Sequence, residues 1–204
     1  MTIDTNNILN SILESLSRID YIKPGDIPNI DLYMDQVTTF MDKQLDSTKR
    51  CSGDKILTKT MINNYTKNNL LPPPVKKKYS REHVLILIFI YYFKSILSIK
   101  DIETVLSPLT EKYFSGEGPL DLSAVYREVC EMEKSRIEPL QESVREAYEK
   151  SMSAFSDVPE EEDRDNLKLF AFICSLSFDV YLRKMMIEKI IDNLGENSTE
   201  NKKK

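Results

Sequence analysis

Ten consecutive residues near the middle of the chain, VLILIFIYYF at positions 84–93, are apolar or aromatic on every side. A helix or strand of this composition has no face for water, so protein must surround it. The run is too short to cross a bilayer. A charged cap before it and Lys94 after it favour a helix over an inner strand. A fully buried helix is therefore expected to lie inside the core.

The rest of the 204-residue chain agrees with a helical protein. It has only five glycines and no tryptophan, with many Leu, Ile, Glu and Lys residues, which favours helices over a turn-rich β architecture. We predict an all-α fold. Helices are expected at about residues 5–20, 31–45, 58–68, 80–97, 98–108 (ended by Pro108), 122–155 (kinked or broken at Pro139) and 166–194 (stopped by Gly195).

The first residues, MTIDTNNILNSILESL, have no basic region and no long apolar run, so they do not resemble a signal peptide. The three cysteines, Cys51, Cys130 and Cys174, are widely scattered without a CxxC pair, which is typical of reduced thiols. The sequence therefore predicts a cytoplasmic protein that does not bind membranes.

Charge is distributed unevenly around a net value of −5. Residues 47–100 hold eleven basic and two acidic side chains, whereas residues 101–200 hold eleven basic and twenty-three acidic ones. Local fields, not the total charge, decide where a polyanion can approach. The basic segment is either a solvated surface without a partner or a site for a polyanion.

The helix expected at 58–68 carries a polar stripe formed by Thr60, Asn63, Asn64 and Lys67. The stripe has no acidic residue, and asparagine can bond adenine bidentately in a major groove. Asparagines on a solvent-facing helix are the alternative interpretation.

Three prolines, Pro72, Pro73 and Pro74, then form a stiff exit without backbone donors. They hold Lys76, Lys77 and Lys78 at a set distance from the helix, and Tyr79 is expected to anchor the far end. A short polar-faced helix, a rigid exit and a basic projection are the parts of a winged helix-turn-helix. A solvated lysine loop is the alternative.

The segment LTKTMINNYTKNNLLPPPVKKKYSREHVLILIFIYYFKSILSIKDIETVL, at 57–106, resembles the DNA-binding segment of MerR-type regulators. Ile62 takes the position of their leucine, Tyr65 that of their second tyrosine, Asn69 that of their glycine, and Tyr79 and Ser80 those of their Tyr-Ser pair. The chain departs from that pattern in a loop of about ten residues before the helix, in Thr60 and Asn63 at the places of arginines, and in a short wing. The whole chain, from IPNIDLYMDQVTTFM onward, resembles a bacterial domain-of-unknown-function family, number eighteen-thirty-six.

These resemblances imply a MerR-like winged helix-turn-helix with a short wing at 27–110, preceded by an amphipathic helix and connector at 1–26. A helical C-terminal domain at 111–195 and a disordered tail at 196–204 would follow. The implied function is a DNA-binding transcriptional regulator, dimeric through its C-terminal helices. A helical interaction module that no longer binds DNA is the alternative. The residues expected to contact double-stranded DNA are Lys59, Thr60, Asn63, Asn64, Lys67, Lys76, Lys77, Lys78 and Tyr79.

Catalysis is not expected. His83, the single histidine, stands beside Glu82 and far in sequence from any cysteine, so we interpret it as a surface or capping residue. The chain contains no Walker loop, dinucleotide fingerprint or nucleophile elbow. No enzyme activity, cofactor or metal site is predicted, and the operator and effector stay undefined.

Overall fold

The computed structural model describes residues 5–17, 21–115 and 120–201. This part of the chain is mainly helical, which confirms the predicted helical fold class. It also contains one two-stranded antiparallel sheet, which the all-α prediction did not include. In chain order the elements are α1 (Thr5–Ser17), β1 (Leu32–Tyr33), α2 (Met34–Gln44), α3 (Lys59–Lys67), β2 (Lys78–Tyr79), α4 (Arg81–Phe93), α5 (Ile99–Tyr113), α6 (Leu122–Lys134), α7 (Ile137–Met152) and α8 (Glu161–Asn201).

The chain forms two compact units. The first comprises Met1–Asp20 and Glu131–Met186, and the second comprises Tyr21–Cys130 and Ile187–Lys204. We call them the small and the large unit. Both α6 and α8 contribute residues to each unit.

Helix α4 lies at the centre of the large unit, as its apolar sequence predicts. Val84 is 1% exposed, and Leu85, Ile86, Leu87, Ile88 and Ile90 are completely buried. Their neighbours in the core come from α2, α3, α5 and α6 and include Val37, Ile62, Ile102 and Tyr126. The helix ends at Phe93, four residues before the predicted end.

Tyr126 and Arg81 attach the connector before β1, residues 21–31, to the helices of this unit. Tyr126 donates its hydroxyl proton to the carbonyl oxygen of Ile22 at 2.7 Å, and burial raises the pKa of this phenol. The Arg81 guanidinium donates to the carbonyl oxygens of Pro24 and Ile27, at 2.6 and 2.7 Å, and to Ser123 Oγ at 3.1 Å. The connector is therefore held in place by hydrogen bonds from α4 and α6.

The connection between α2 and α3 is longer than a tight turn, as expected from the sequence, but it is ordered. It contains a 3₁₀ turn, Asp46–Thr48, and the Thr48 and Tyr91 hydroxyls share a hydrogen bond. Lys94 Nζ donates to the carbonyl oxygen of Ile56 at 2.8 Å, and burial lowers the pKa of this amine. Residues 45–58 are therefore attached at two points, to Tyr91 in α4 and to Lys94 directly after it.

Two predicted helix stops, at Pro108 and at Gly195, differ from the structure. The expectation that Pro108 ends α5 is wrong, because the helix continues to Tyr113. A proline removes one helical hydrogen bond, and the burial of Leu106 and partial burial of Leu109 on either side of it outweigh that loss. The predicted stop at Gly195 is also wrong, because α8 continues to Asn201. A glycine permits a left-handed cap but does not impose one.

The chain does break between α6 and α7, at residues 135–136, and Pro139 occupies the first turn of α7. A proline is tolerated there because the first helical N–H groups have no intrahelical partner. The tail predicted at 196–204 is described only as far as Asn201, and its last three residues lie outside the described part.

The small unit has its own apolar cluster, formed by Leu13, Val144, Tyr148 and Phe172. These residues come from α1, α7 and the first half of α8. Gln141 on α7 adds a hydrogen bond from its amide nitrogen to the carbonyl oxygen of Leu13, at 2.9 Å. None of the helices described here combines the length and the hydropathy that a membrane span requires.

Candidate nucleic-acid interface

Helix α3 starts with a side-chain cap and presents two different faces. Thr58 Oγ1 accepts a hydrogen bond from the Met61 amide at 3.2 Å, as predicted from the sequence. Ile62 and Tyr65 are buried in the core, at 0% and 5% exposure. The opposite face is exposed and consists of Thr60, Asn63, Asn64 and Lys67. The structure therefore places the predicted polar stripe on the surface.

Lys59, the first residue of α3, is also exposed but has a partner. Its ammonium group forms an ion pair with the carboxylate of Asp35 on α2. A polyanion at this position would have to compete with Asp35, so Lys59 is a weaker candidate contact than Lys67.

The end of α3 is fixed by its backbone. Asn69 adopts a left-handed conformation with φ of 57°, as predicted. The amides of Leu70 and Leu71 both donate to the carbonyl oxygen of Tyr65, at 2.9 and 3.3 Å. Both leucines are 1% exposed. The chain therefore leaves α3 in one direction and enters the three prolines from a buried anchor.

After the prolines, residues 75–78 form a tight turn that we call the lysine hairpin. The Val75 amide donates to the Lys78 carbonyl at 3.1 Å, and the Lys78 amide donates to the Val75 carbonyl at 2.9 Å. Lys76 and Lys77 between them have φ values of 50° and 65°. Two central residues with positive φ are characteristic of a type I′ hairpin.

This turn type normally contains Asn-Gly or Asp-Gly, because residues with a larger side chain are strained at positive φ. A left-handed conformation costs an ordinary residue about 1–2 kcal/mol. The lysine hairpin places two exposed lysines, Lys76 and Lys77, at both strained positions. Strain of this kind is concentrated at functional sites. The hairpin directs two ammonium groups away from the core at a cost in stability.

The hairpin is attached to strand β1, which sequence reasoning missed. Tyr33 pairs with Lys78 and Leu32 pairs with Tyr79 across the sheet. Lys78 also bridges to Val75, so Tyr33, Lys78 and Val75 form one cross-strand row. Tyr33 is 54% exposed, and its ring centroid lies 5.5 Å from Lys78 Nζ. A strand of two residues is too short to show an alternating pattern, so no sequence signal could have identified it.

Tyr79 differs from the other candidate residues because it is buried, at 3% exposure. Its ring lies edge-on to His83, with 5.4 Å between the centroids, and burial raises the pKa of its phenol. The structure therefore places Tyr79 beneath the hairpin as an anchor and not on the surface.

His83 connects this anchor to the prolines. Its Nδ1 accepts a hydrogen bond from the Ser80 amide at 3.0 Å, so the proton of a neutral ring is on Nε2, 3.4 Å from the Pro73 carbonyl oxygen. The capping role expected for His83 is confirmed, whereas a surface position is wrong, since the residue is 3% exposed. Burial lowers its pKa, against smaller opposing effects from the Pro73 carbonyl and Glu82.

The charge count of the basic segment overstates the charge that a ligand could meet. Four of its eleven basic residues have ion-pair or hydrogen-bond partners within the protein: Lys49 with Asp42 and Asp46, Lys59 with Asp35, Arg81 with backbone carbonyls, and Lys94 with Ile56. Lys67 in the polar stripe and Lys76 and Lys77 in the hairpin are exposed, whereas Lys78 is half-buried.

An open groove of about 860 Å³ lies between α2 and α3 and is lined by both acidic and basic residues, among them Asp42, Asp54, Lys43 and Lys55. This mixture of charge does not favour one class of small ligand. Within residues 5–17, 21–115 and 120–201, no three His, Cys, Asp or Glu side chains come together as metal ligands would.

The large unit, with its exposed polar helix and lysine hairpin, corresponds to a known sequence family. The profile of the domain of unknown function DUF1836 matches residues 22–129, slightly more than half of the chain. The protein belongs to this family. The match runs almost from end to end of Tyr21–Cys130, the main segment of the large unit. Searches of curated proteins and of solved structures find no match to the chain.

Proposed function

We propose that the protein is a DNA-binding transcriptional regulator whose large unit is a MerR-like winged helix-turn-helix. In this proposal α2 and α3 are the paired helices, α3 enters the major groove, and the lysine hairpin is the wing. The observation that carries the proposal is the occupation of both left-handed hairpin positions by Lys76 and Lys77. A selective benefit of the two charges explains why these positions are not Asn-Gly.

Each element has a separate task on the duplex. Asn63 and Asn64 on the exposed face of α3 meet base edges, where an asparagine can bond adenine through two hydrogen bonds. The wing lysines neutralise phosphates, which contributes affinity without sequence information. Tyr79 stays in the core and positions the wing.

The row formed by Tyr33, Lys78 and Val75 adds to this surface. The exposed Tyr33 ring beside Lys78 keeps the ammonium group near the sheet. Its edge and hydroxyl are available to the sugar-phosphate backbone next to the wing. Tyr33 is therefore included among the proposed contacts, although the sequence alone did not indicate it.

The regulator is proposed to act as a homodimer, as the MerR resemblance implies. A two-fold protein reads two half-sites related by the same symmetry. Two copies of one unit also double the number of phosphate contacts, which raises affinity for a palindromic site over a single half-site.

Selection of bound duplexes from a random pool tests the proposal. The expected result is an enriched motif with two related halves. Asn63→Ala and Asn64→Ala should each weaken binding to that motif by about 1–3 kcal/mol and leave binding to unrelated duplexes nearly unchanged. Lys100→Ala, at an exposed position on α5, is the control and should leave binding to the motif and to unrelated duplexes nearly unchanged.

If no duplex is retained even at low salt, the proposal is wrong, and the polar stripe and hairpin belong to a protein-interaction module. If duplexes are retained without an enriched motif, and the asparagine variants behave as the wild type does, α3 does not read bases.

A further inference from the structure

Helix α8 has two different sides within the small unit. Phe172 is 2% exposed, and Leu176 packs against the same apolar cluster. On the other side, Leu167, Phe170, Cys174, Phe178 and Tyr181 follow one another at spacings of three, four, four and three residues. At 3.6 residues per turn, these five side chains lie within an arc of roughly 80°. We call this set the aromatic stripe.

The aromatic stripe is exposed over most of its length. Phe170, Phe178 and Tyr181 are 62%, 65% and 62% exposed. Since each such side chain can bury about 150–250 Å², the three rings leave roughly 400 Å² uncovered. Other large apolar residues of α8, including Ile173, Val180, Leu182, Met185 and Met186, are exposed as well.

An exposed apolar area of this size indicates an interaction surface. The largest apolar patch on a typical monomer covers about 300–600 Å², and the three rings alone reach that range. Leu167 and Met185, which lie on the same side of the helix as the three rings, are 36% and 49% exposed. With them, the apolar surface on this side approaches the roughly 600 Å² per partner that marks the lower end of specific interfaces. The helix therefore presents enough apolar surface on one side for a small two-fold interface.

The spacing of the residues in the aromatic stripe indicates that its partner is a second copy of the same helix. The spacing 3-4-4-3 reads the same in both directions about Cys174. When two copies of such a helix pair in antiparallel orientation with a two-fold axis at Cys174, Phe170 faces Phe178 of the second copy and Leu167 faces Tyr181. An isologous contact requires this reciprocity, in which residue i meets j and j meets i.

The chemistry around the axis agrees with such a pairing. Between Leu167 and Tyr181 only Lys168 and Asp179 are charged, so like charges are not brought together at the centre. The small residues Ala171 and Ser177 are also related by the same axis and allow the two helices to approach closely.

We propose that the aromatic stripe of α8 is the surface through which two copies of this chain associate, as an antiparallel helix pair centred on Cys174. This inference deepens the dimer proposed above by naming its contact surface. The proposed contact involves no DNA, and its test requires none.

Cross-linking at the proposed axis tests the pairing. Mild oxidation or a short bismaleimide should link Cys174 of the two copies, and Cys174→Ser should abolish the product. Cys51→Ser is the matched control, because Cys51 is exposed and lies in the other unit. This variant should still cross-link.

A second cross-linking experiment distinguishes antiparallel from parallel pairing. In a Cys174→Ser background, the variants Leu167→Cys and Tyr181→Cys are oxidised separately and as a mixture. The expected product is a linked dimer in the mixture and little in either variant alone. Products from each variant alone would indicate parallel helices and overturn the proposed geometry.

Sedimentation equilibrium completes the test. Wild-type protein should have about twice the 23.7 kDa chain mass, and Phe178→Glu should give the chain mass with unchanged helical circular dichroism. Met186→Glu places the same charge on a comparably exposed residue roughly 120° around the helix from the stripe and should remain dimeric. A monomeric wild type, or a Phe178→Glu variant that stays dimeric, would refute the inference whether or not the protein binds DNA.

Discussion

Nε2 of His83 and the carbonyl oxygen of Pro73 lie 3.4 Å apart, so a core residue of α4 holds the middle proline of the segment that leads to the lysine hairpin. Nδ1 of the same ring accepts the Ser80 amide. Protonation of Nδ1 would replace this accepted hydrogen bond with two N–H groups facing each other. The position of the hairpin therefore depends on a neutral His83.

Stability is expected to depend on pH through this residue. Burial lowers the pKa of His83 from its ordinary value of 6.5, so below about pH 6.5 the unfolded chain takes up a proton that the folded chain does not. The free energy of unfolding is then highest above this pH and decreases as the pH falls toward and through the folded-state pKa.

Urea unfolding at pH 7.5 and at pH 5.5 measures this effect. His83→Gln is the informative variant, because glutamine cannot titrate but can still accept the Ser80 amide, as in a standard capping box. The variant should lose most of the difference between the two pH values. If wild type and variant lose equal stability on acidification, other groups are responsible.

The lysine hairpin should show a conflict between stability and binding. Replacing Lys76 by Asn and Lys77 by Gly gives the pair that a type I′ turn prefers. Relief of positive-φ strain should raise the free energy of unfolding by about 1–2 kcal/mol. The same double variant should bind DNA more weakly, since two phosphate contacts are lost.

Thermal unfolding and fluorescence anisotropy on labelled duplex measure the two effects. Lys100→Gln with Lys112→Gln, both on α5, removes equal charge from exposed positions outside the hairpin and should change neither quantity much. A hairpin variant that is more stable and binds DNA as well as wild type would show that the lysines serve another purpose.

The prolines should act through rigidity. Replacing Pro73 and Pro74 by glycine makes the exit from α3 flexible, so its order must be restored at each binding event. DNA affinity should fall while the helical circular dichroism persists. Pro159→Gly, in the connector before α8, is the control for a general loss of stability. If the wild type, the Pro73 and Pro74 glycine variant and Pro159→Gly bind DNA with equal affinity, the prolines only connect α3 to the hairpin.

Local chemistry made part of this structure predictable. Thr58 and Ser98 cap helices, Asn69 ends one, and the apolar run is a buried helix, because each of these features depends on a few neighbouring residues. The course of α5 through Pro108 was not predictable in this way. It depends on the burial of Leu106 in a core built from distant segments.

In the candidate site, too, features set by neighbouring residues were predictable and features set by distant contacts were not. The polar stripe of α3 follows from periodicity alone. The pairing of Tyr33 with Lys78 joins residues 45 positions apart. His83 is covered in part by Phe114 from distant sequence, with 4.8 Å between the two ring centroids. The ion pair of Lys59 with Asp35 likewise reduces a charge that the sequence counts as available.

The salt dependence of DNA binding tests the central claim most directly. Fluorescence anisotropy with a random-sequence duplex, over about 50–300 mM salt, compares wild type with a variant in which Lys76, Lys77 and Lys78 are alanine. Each neutralised phosphate contributes roughly 0.9 to the logarithmic slope, so the variant's slope should be shallower by roughly two to three units. Alanine at Lys100, Lys112 and Lys150 is the control and should keep the wild-type slope. Absence of salt-dependent binding in the wild type, or equal slopes for the wild type and the hairpin variant, would contradict the proposal that this hairpin is a DNA-binding wing.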